Sequence, residues 1–402
     1  MGNVIYRPFE SGRLAKPDRL DAGIAHIIGA YFLEQEPRAR FNVRVNGKWD
    51  TEQNRPEIDI SGEVSAYLLD DPHIHEHLDN RIIAFYNEHH LTDYGPDYFR
   101  IIYTLNRQTE KLQDNHNAGD SGTPMVAAVN YSPLSLPPER YMAVEVRKLI
   151  DGIYRREGEV PATIASATGI DEVKGLGADG KIQAIAKFDD EQLAGIRDIV
   201  VSVQQEPSLP LDRLRRDLTR IIKYRIKELS DYFSGYGGNK TSIIINPLGE
   251  WYEGGWKVDQ GNSEAKPQED YFGNRGLMED AFWGEDWRKP SGAGHLQAWK
   301  VAKTIIEQGL ADVAYVGLEY TIGQPDAQVF NINLNGTGKM SQQEVIRWVE
   351  DNIDLNLKNL AKRYRLDDPT TYQKVAEHRD LFHHPGFPWN RSRRINYEEQ
   401  DA

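Results

Sequence analysis

Residues 243–259, IIINPLGEWYEGGWKVD, constrain this chain more than any other stretch. An apolar run of β type stops at residues 246–249, Asn-Pro-Leu-Gly, which are typical turn residues. Trp251, a glycine pair and Asp259 follow. A flat aromatic ring can stack on the base of an adenosine, and glycine backbone lets the ligand approach closely. A carboxylate can accept hydrogen bonds from the ribose hydroxyls. The stretch predicts a strand that ends at a nucleoside site; a core strand followed by an exposed tryptophan is the alternative.

Composition limits the classes of protein. A chain of 402 residues predicts two or three domains. The net charge of −14 argues against nucleic-acid and anionic-membrane partners, because both require basic surfaces. The absence of cysteine excludes disulfides and thiolate metal sites. No apolar run approaches the roughly 18 residues that span a bilayer, and the first residues lack a signal pattern. We therefore expect a cytoplasmic protein.

Hydrophobic periodicity alternates between helical and strand-like segments. Helices are predicted at residues 20–33, 73–90, 139–156, 211–233, 294–308 and 341–361. Strands are predicted at residues 58–68, 99–105, 181–188, 199–204, 242–251, 313–323 and 329–334. Paired strands joined by Pro/Gly/Asn turns, with helices between them, indicate an α+β fold with mainly antiparallel sheets.

Three short motifs suggest other functions. Residues 175–181, GLGADGK, resemble a phosphate loop, but an alternating run follows, which predicts a strand. Residues 119–122, GDSG, occur in serine proteases, yet this chain shows no barrel-like strand spacing and no cysteines. His73 and His77 share a helix face that could hold a metal, although no third ligand is evident and an exposed helix start is favoured.

Several motifs, in the same order along the chain, resemble those of the S-adenosylmethionine synthetase (methionine adenosyltransferase) family. They are KPDR at 16–19 (family HPDK), SGE at 61–63 (GGE), NAGDSG at 117–122 (GAGDQG), DGK at 179–181 (DAK), the strand at 243–249, GLADVAYVGLEYTIG at 309–323, NGTGK at 335–339 and FPW at 387–389. This collinearity covers nearly the whole chain and is more specific than any single motif.

The resemblance implies three similar α+β units around a pseudo-threefold axis. We expect an N-terminal unit with a substrate loop at 1–130, a central unit at 131–250 and a C-terminal unit at 251–402, interleaved and with soft boundaries. It also implies a homodimer or dimer of dimers with active sites at the subunit interface. The implied activity joins ATP and methionine, or a close analogue, to give S-adenosylmethionine and release the polyphosphate.

The resemblance assigns a role to each matching residue. Methionine would contact Glu63, Gln108 and Asp120. The nucleotide would contact Arg19, Trp251, Asp259 and Ile322. The catalytic polyphosphate cations would be Lys16, Lys181, Lys266 and Lys289, and Asp18 would bind Mg²⁺.

Five departures from the family pattern alter the phosphate side, the first being Lys16 in place of a histidine. A family arginine is Ala265, a lysine is Glu285, the second metal-binding aspartate is Ser291, and a glutamate tied to potassium binding is Arg44. Glu279, Asp280 or Asp286 could serve the metal instead. We expect Mg²⁺ dependence, independence of K⁺ because a guanidinium could occupy the cation's place, and weak or absent tripolyphosphate hydrolysis. Two alternatives stay open: another nucleotide or nucleophile (or S-adenosyl cleavage) in the same pocket, and a non-catalytic protein that binds an adenosyl ligand.

Overall fold

The structure is a computed structural model that describes residues 4–189, 192–233, 241–276 and 280–390. Its strands are β1 (Val4–Gly12), β2 (Phe41–Asp50), β3 (Arg55–Val64), β4 (Arg100–Arg107), β5 (Met125–Val129), β6 (Leu176–Asp189), β7 (Gln192–Gln205), β8 (Ser242–Ile245), β9 (Val313–Glu319) and β10 (Gln328–Asn333). Its helices are α1 (Pro17–Gln35), α2 (Ile74–His90), α3 (Glu110–Gln113), α4 (Pro138–Arg155), α5 (Ala162–Thr168), α6 (Leu211–Ser230), α7 (Pro267–Asp270), α8 (His295–Glu307), α9 (Gln342–Asn352), α10 (Leu357–Tyr364) and α11 (Pro369–His378).

The strands form three sheets with the orders β1-β6-β7-β8, β2-β3-β4 and β10-β9-β5. Most neighbouring strands are antiparallel; β7 with β8 and β3 with β4 are parallel. The predicted α+β class with mainly antiparallel sheets is therefore confirmed. β1 lies in the sheet of β6 to β8, so the sheets do not follow chain order. The predicted unit boundaries stay a prediction.

Two apolar cores hold these layers together. In one core, α4 and α6 cover the β1-β6-β7-β8 sheet. In the other, residues of α1, α8 and α11 pack with the two remaining sheets. No helix in the described ranges is both long and apolar enough to cross a bilayer.

Two local predictions change in the structure. The strand predicted at 242–251 ends at Ile245, because Asn246 adopts a left-handed φ of 43°. The Asn246 side-chain amide then pairs with the NH and carbonyl of Val203, at 2.8 and 2.9 Å, in place of a continuing strand. The helix predicted at 341–361 is two helices, α9 and α10. The strand predicted after the glycines of 175–181 is confirmed as β6.

Candidate functional site

Two lysines converge on one carboxylate at the start of α1. Lys16 precedes Pro17, a residue favoured in the first turn of a helix, and Asp18 lies where the helix dipole favours an acid. Nζ of Lys16 donates to Oδ2 of Asp18 at 2.9 Å, and Nζ of Lys266 lies 3.2 Å from the same oxygen. Asp259 joins this group, with Oδ2 at 3.9 Å from Nζ of Lys16. The structure thus brings together four of the predicted site residues.

Charge keeps these groups ionised. Burial alone would lower the pKa of Lys16, but the hydrogen bond and charge of Asp18 outweigh it and raise that pKa. Burial would likewise raise the pKa of Asp18, but the hydrogen bond from Lys16, its charge and that of Lys266 lower it. Near neutral pH, Lys16 is therefore an ammonium ion and Asp18 a carboxylate.

The segment of residues 261–266, which ends at Lys266, packs along strand β2. The backbone NH of Gly261 donates to Gly47 O at 2.8 Å, and the NH of Ser263 donates to Val45 O at 2.9 Å. Between these contacts, the NH of Asn262 donates to Oδ1 of Asp18 at 3.2 Å. The segment therefore lies along the edge of β2 and is anchored at the lysine group.

Arg19 and Lys181 occupy different surroundings. The Arg19 side chain is 3% exposed, ion-paired with Asp270 and positioned 5.1 Å from the ring centre of Trp283. The guanidinium of Arg19 is thus held inside the core. The predicted contact of Arg19 with a nucleotide stays a prediction. Lys181 lies opposite Gly12 in the β1–β6 pair and forms an ion pair with Glu10 at 3.0 Å.

The turn that carries Trp251 is fixed to a buried acid. The backbone NH of Gly255 donates to Oδ2 of Asp179 at 2.8 Å, and a Cβ on Gly254 would lie 2.8 Å from the Cβ of Asp179. Only glycine allows this approach. Burial raises the pKa of Asp179, which also interacts electrostatically with Lys16. The indole NH of Trp251 donates to the Glu253 carbonyl.

A second group of predicted residues meets on the loop after α3. Nζ of Lys289 donates to Oδ2 of Asp120 at 2.7 Å. The NH of Ile322 donates to Oγ of Ser121 at 3.1 Å, and the Ile322 side chain is exposed. The structure thus places Asp120, Lys289 and Ile322 close together, and the ligand contacts assigned to them stay predictions.

Three sequence departures, Glu285, Ser291 and Arg44, lie near this second group. Glu285 is 6% exposed and accepts a hydrogen bond from Ser291. Burial raises the pKa of Glu285 to about 7, although the Ser291 hydrogen bond and the charge of Lys289 oppose the rise. Nε of Arg44 pairs with Oε1 of Glu264 at 2.6 Å. The sequence does not identify Glu264 as a site residue, because Glu264 belongs to none of the family-like motifs. Of its neighbours, only Lys266 has a predicted role in the site.

Glu63 and Gln108 lie at the same end of the β2-β3-β4 sheet. Glu63 is exposed and pairs in register with Asn42 of β2, which forms a bridge to Glu285 on its other edge. The NH of Gln108 donates to Val64 O at 2.8 Å. The amide oxygen of Gln108 is buried and, among the described residues, lacks a hydrogen-bond partner. β2 therefore runs between both predicted groups.

Among the candidate carboxylates named above, the described residues leave Asp18 and Asp280 for a phosphate-bound metal. No group of three metal-ligating side chains occurs in the described ranges. Asp286 is not available, because Arg40 at 2.8 Å and Arg288 at 3.0 Å pair with it in the core. Glu279 lies outside the described residues. Asp18 and the exposed Asp280 remain. One or two carboxylates with substrate phosphates are a frequent Mg²⁺ arrangement.

Comparison with known proteins agrees with this architecture. Residues 253–391 match the family model of the S-adenosylmethionine synthetase C-terminal domain. The chain is 25% identical to an S-adenosylmethionine synthase of Wolinella succinogenes, covering 95% of this chain and 94% of that protein. It is 26% identical to an S-adenosylmethionine synthase of Finegoldia magna, covering 66% of this chain and 63% of that protein.

The α+β architecture with three mixed or antiparallel sheets is consistent with the three-unit fold of S-adenosylmethionine synthetases. The chain is a distant homologue of S-adenosylmethionine synthases, and its residues 253–391 match the C-terminal domain of that family.

Proposed function

We propose that this protein is a methionine adenosyltransferase that joins ATP to methionine, or to a close analogue, and releases the polyphosphate. The observation that carries the proposal is the convergence of Lys16 and Lys266 on Asp18, beside Asp259. In this reaction the sulfur attacks C5′ of ATP and negative charge accumulates on the leaving polyphosphate. Preorganised cations at that position lower the barrier, since they stabilise charge as it develops.

The second group of residues would position the other reactant. Asp120, Glu63 and Gln108 offer acceptors for the amino group of methionine, and Ile322 offers an apolar surface for adenine. Trp251 would stack on the base, and Asp259 would accept from the ribose hydroxyls. Holding sulfur and C5′ in line converts a bimolecular step into an effectively unimolecular one. Arg19, Lys181 and Lys289 complete the proposed contacts to the nucleotide.

Members of this family typically use Mg²⁺ and K⁺. We propose that Asp18 and the polyphosphate oxygens would hold Mg²⁺, which would neutralise charge on the leaving group when bound. The Arg44–Glu264 pair supports independence of K⁺, because a fixed guanidinium already ties the 261–266 segment to β2. We also propose a cytoplasmic homodimer or dimer of dimers with sites at the interface, and no nucleic-acid or membrane partner.

One observation favours a second candidate. Glu285 adds a carboxyl group beside Asp120 and Lys289, where the family pattern has a lysine. This supports a reaction in the same pocket with another nucleotide or another sulfur or amine nucleophile.

Mass spectrometry of products would separate these functions. Purified protein would be incubated with ATP, Mg²⁺ and a panel of amino acids and amines, methionine included. We expect S-adenosylmethionine from methionine. A product from another member of the panel alone would select the second candidate, and nucleotide binding without product would indicate a non-catalytic homologue. Lys266→Met serves as the inactive control.

A further inference from the structure

Glu285 is a buried carboxyl group that lacks a paired cation. Its Oε2 accepts the hydroxyl hydrogen bond of Ser291, and no lysine or arginine among the described residues forms an ion pair with it. Lys289, four residues later, directs its ammonium to Asp120 instead, at 2.7 Å. An ionised carboxylate in such a position is costly, since burial removes water and nothing of opposite charge replaces it.

An apolar cavity behind Glu285 offers no compensation. This cavity has a volume of about 50 Å³ and lies between α1, α8 and α11. Phe282, Leu296 and Val375 are among its lining residues. His26 also lines it, but burial lowers the pKa of His26 to about 3, so the imidazole is neutral near pH 7. The hydroxyl group of Tyr372 donates a hydrogen bond to the backbone carbonyl of Glu285, at 2.8 Å.

The remaining charges around Glu285 act in opposite directions. Lys289 attracts its negative charge, whereas Asp286 and Glu264 repel it. Asp286 is already neutralised by Arg40 and Arg288. Glu264 is paired with Arg44 from β2. The ionised state of Glu285 therefore depends on the hydrogen bond from Ser291 and on the charge of Lys289, whose ammonium also serves Asp120.

We propose that Glu285 takes up one proton when a polyphosphate binds beside Lys289, so that nucleotide binding and protonation of this carboxyl group are linked. The inference rests on the proposed function. An arriving phosphate adds negative charge and draws the ammonium of Lys289 toward itself, and both changes disfavour a second anion at Glu285. The proton comes from solvent and forms an O–H bond on the carboxylate; no other bond breaks. Burial already raises the pKa of Glu285 to about 7, which places the exchange near neutral pH.

Calorimetry on the unaltered protein would measure the proton directly. The probe is the Mg²⁺ complex of an ATP analogue with an imido bridge between its β and γ phosphates. Titrations at about pH 7.5, in two buffers of different ionisation enthalpy, give the number of protons exchanged. The same titrations on Glu285→Gln supply the contribution of the ligand's own phosphate. We expect the unaltered protein to take up at least about half a proton more than Glu285→Gln.

The pH dependence of the dissociation constant gives a second readout. Above about pH 7, the affinity of the unaltered protein should fall relative to Glu285→Gln, approaching tenfold per pH unit for one linked proton. Glu285→Asp retains a carboxyl group and should retain the slope. Glu264→Gln removes a neighbouring carboxylate and should change the affinity but keep most of the slope.

The outcomes are distinguishable. Equal proton uptake and parallel pH curves for the unaltered protein and Glu285→Gln would overturn this inference and leave the proposed function standing. Failure of the analogue to bind at any pH would overturn both.

Discussion

Nε of Arg44 lies 2.6 Å from Oε1 of Glu264, so that a guanidinium on β2 holds the segment that carries Lys266. The anchor is reinforced by backbone contacts of the same segment to Val45 and Gly47. The ion pair is partly exposed, so its contribution to stability is small, within about 1 kcal/mol. The ion pair matters because it fixes the position of the segment that carries Lys266.

The first prediction concerns K⁺. Activity of the unaltered protein should not change when KCl replaces an equal concentration of tetramethylammonium chloride, since Arg44 already supplies a cation. Arg44→Glu reverses this charge, restores the residue type of the family pattern, and should lower activity in K⁺-free buffer. Steady-state rates in both salts would test this. Stimulation of the unaltered protein by K⁺ would contradict it.

The second prediction concerns the lysine group at Asp18. Lys266→Met removes an ammonium that lies 3.2 Å from Asp18 and keeps a side chain of similar length. We expect kcat to fall by about a hundredfold or more, corresponding to about 3 kcal/mol of lost leaving-group stabilisation. Lys174→Met is the matched control, because Lys174 is exposed and pairs with Glu172 on a remote surface. Equal rates for the two variants would show that Lys266 has no role.

The third prediction concerns the turn after Trp251. Gly254→Ala places a methyl group 2.8 Å from the Cβ of Asp179, so the turn must shift away from this acid. We expect KM for ATP to rise several-fold while the melting temperature changes by only a few degrees. Gly95→Ala is the control, because nothing lies within 4 Å of the added methyl group. A KM identical to that of the control would remove the turn from the nucleotide site.

The fourth prediction concerns stability and pH. The pKa of Glu285 is about 7 in the folded protein, against an ordinary value of 4.5. Its contribution to stability is therefore fully present below about pH 4.5 and is lost as the pH rises through about 7. Relative to Glu285→Gln, the unaltered protein should lose on the order of 3 kcal/mol of unfolding free energy across that window. Urea unfolding of both proteins at about pH 5 and pH 8 measures it, and a constant difference between them would count against a buried, titrating carboxyl.

The fifth prediction concerns the released polyphosphate. Ala265 and Ser291 replace a cation and a metal-binding carboxylate of the family pattern, and Ser291 donates its hydroxyl to Glu285. Tripolyphosphate should therefore accumulate intact during turnover. Phosphorus NMR of the reaction mixture would detect it; release of diphosphate and phosphate at the turnover rate would refute this expectation.

Sequence patterns predicted the elements better than the contacts between them. Periodicity placed a helix at 20–33 and the structure has α1 at Pro17–Gln35, because proline at the start and an apolar face are local signals. The strand after residue 241 was predicted too long, because only tertiary structure reveals that the Asn246 amide pairs with Val203.

In the candidate site, too, residue types were easier to predict than the contacts between them. Its residue types could be assigned from motifs, but the pairing of Arg44 with Glu264 joins segments that no periodicity relates. The raised pKa of Glu285 arises because other segments bury its carboxyl group. From the sequence, only the replacement of a family lysine by an acid could be predicted.

The placement of β1 has a consequence for biosynthesis. Val4 pairs with Asp189 and Gly12 with Lys181, so β1 is synthesised long before β6, the strand with which it pairs. Closing so large a loop is entropically unfavourable and slow compared with hairpin formation. Strand β1 must therefore stay unpaired until β6 has been made, and the lysine group at Asp18 can assemble only after Lys266 has been synthesised.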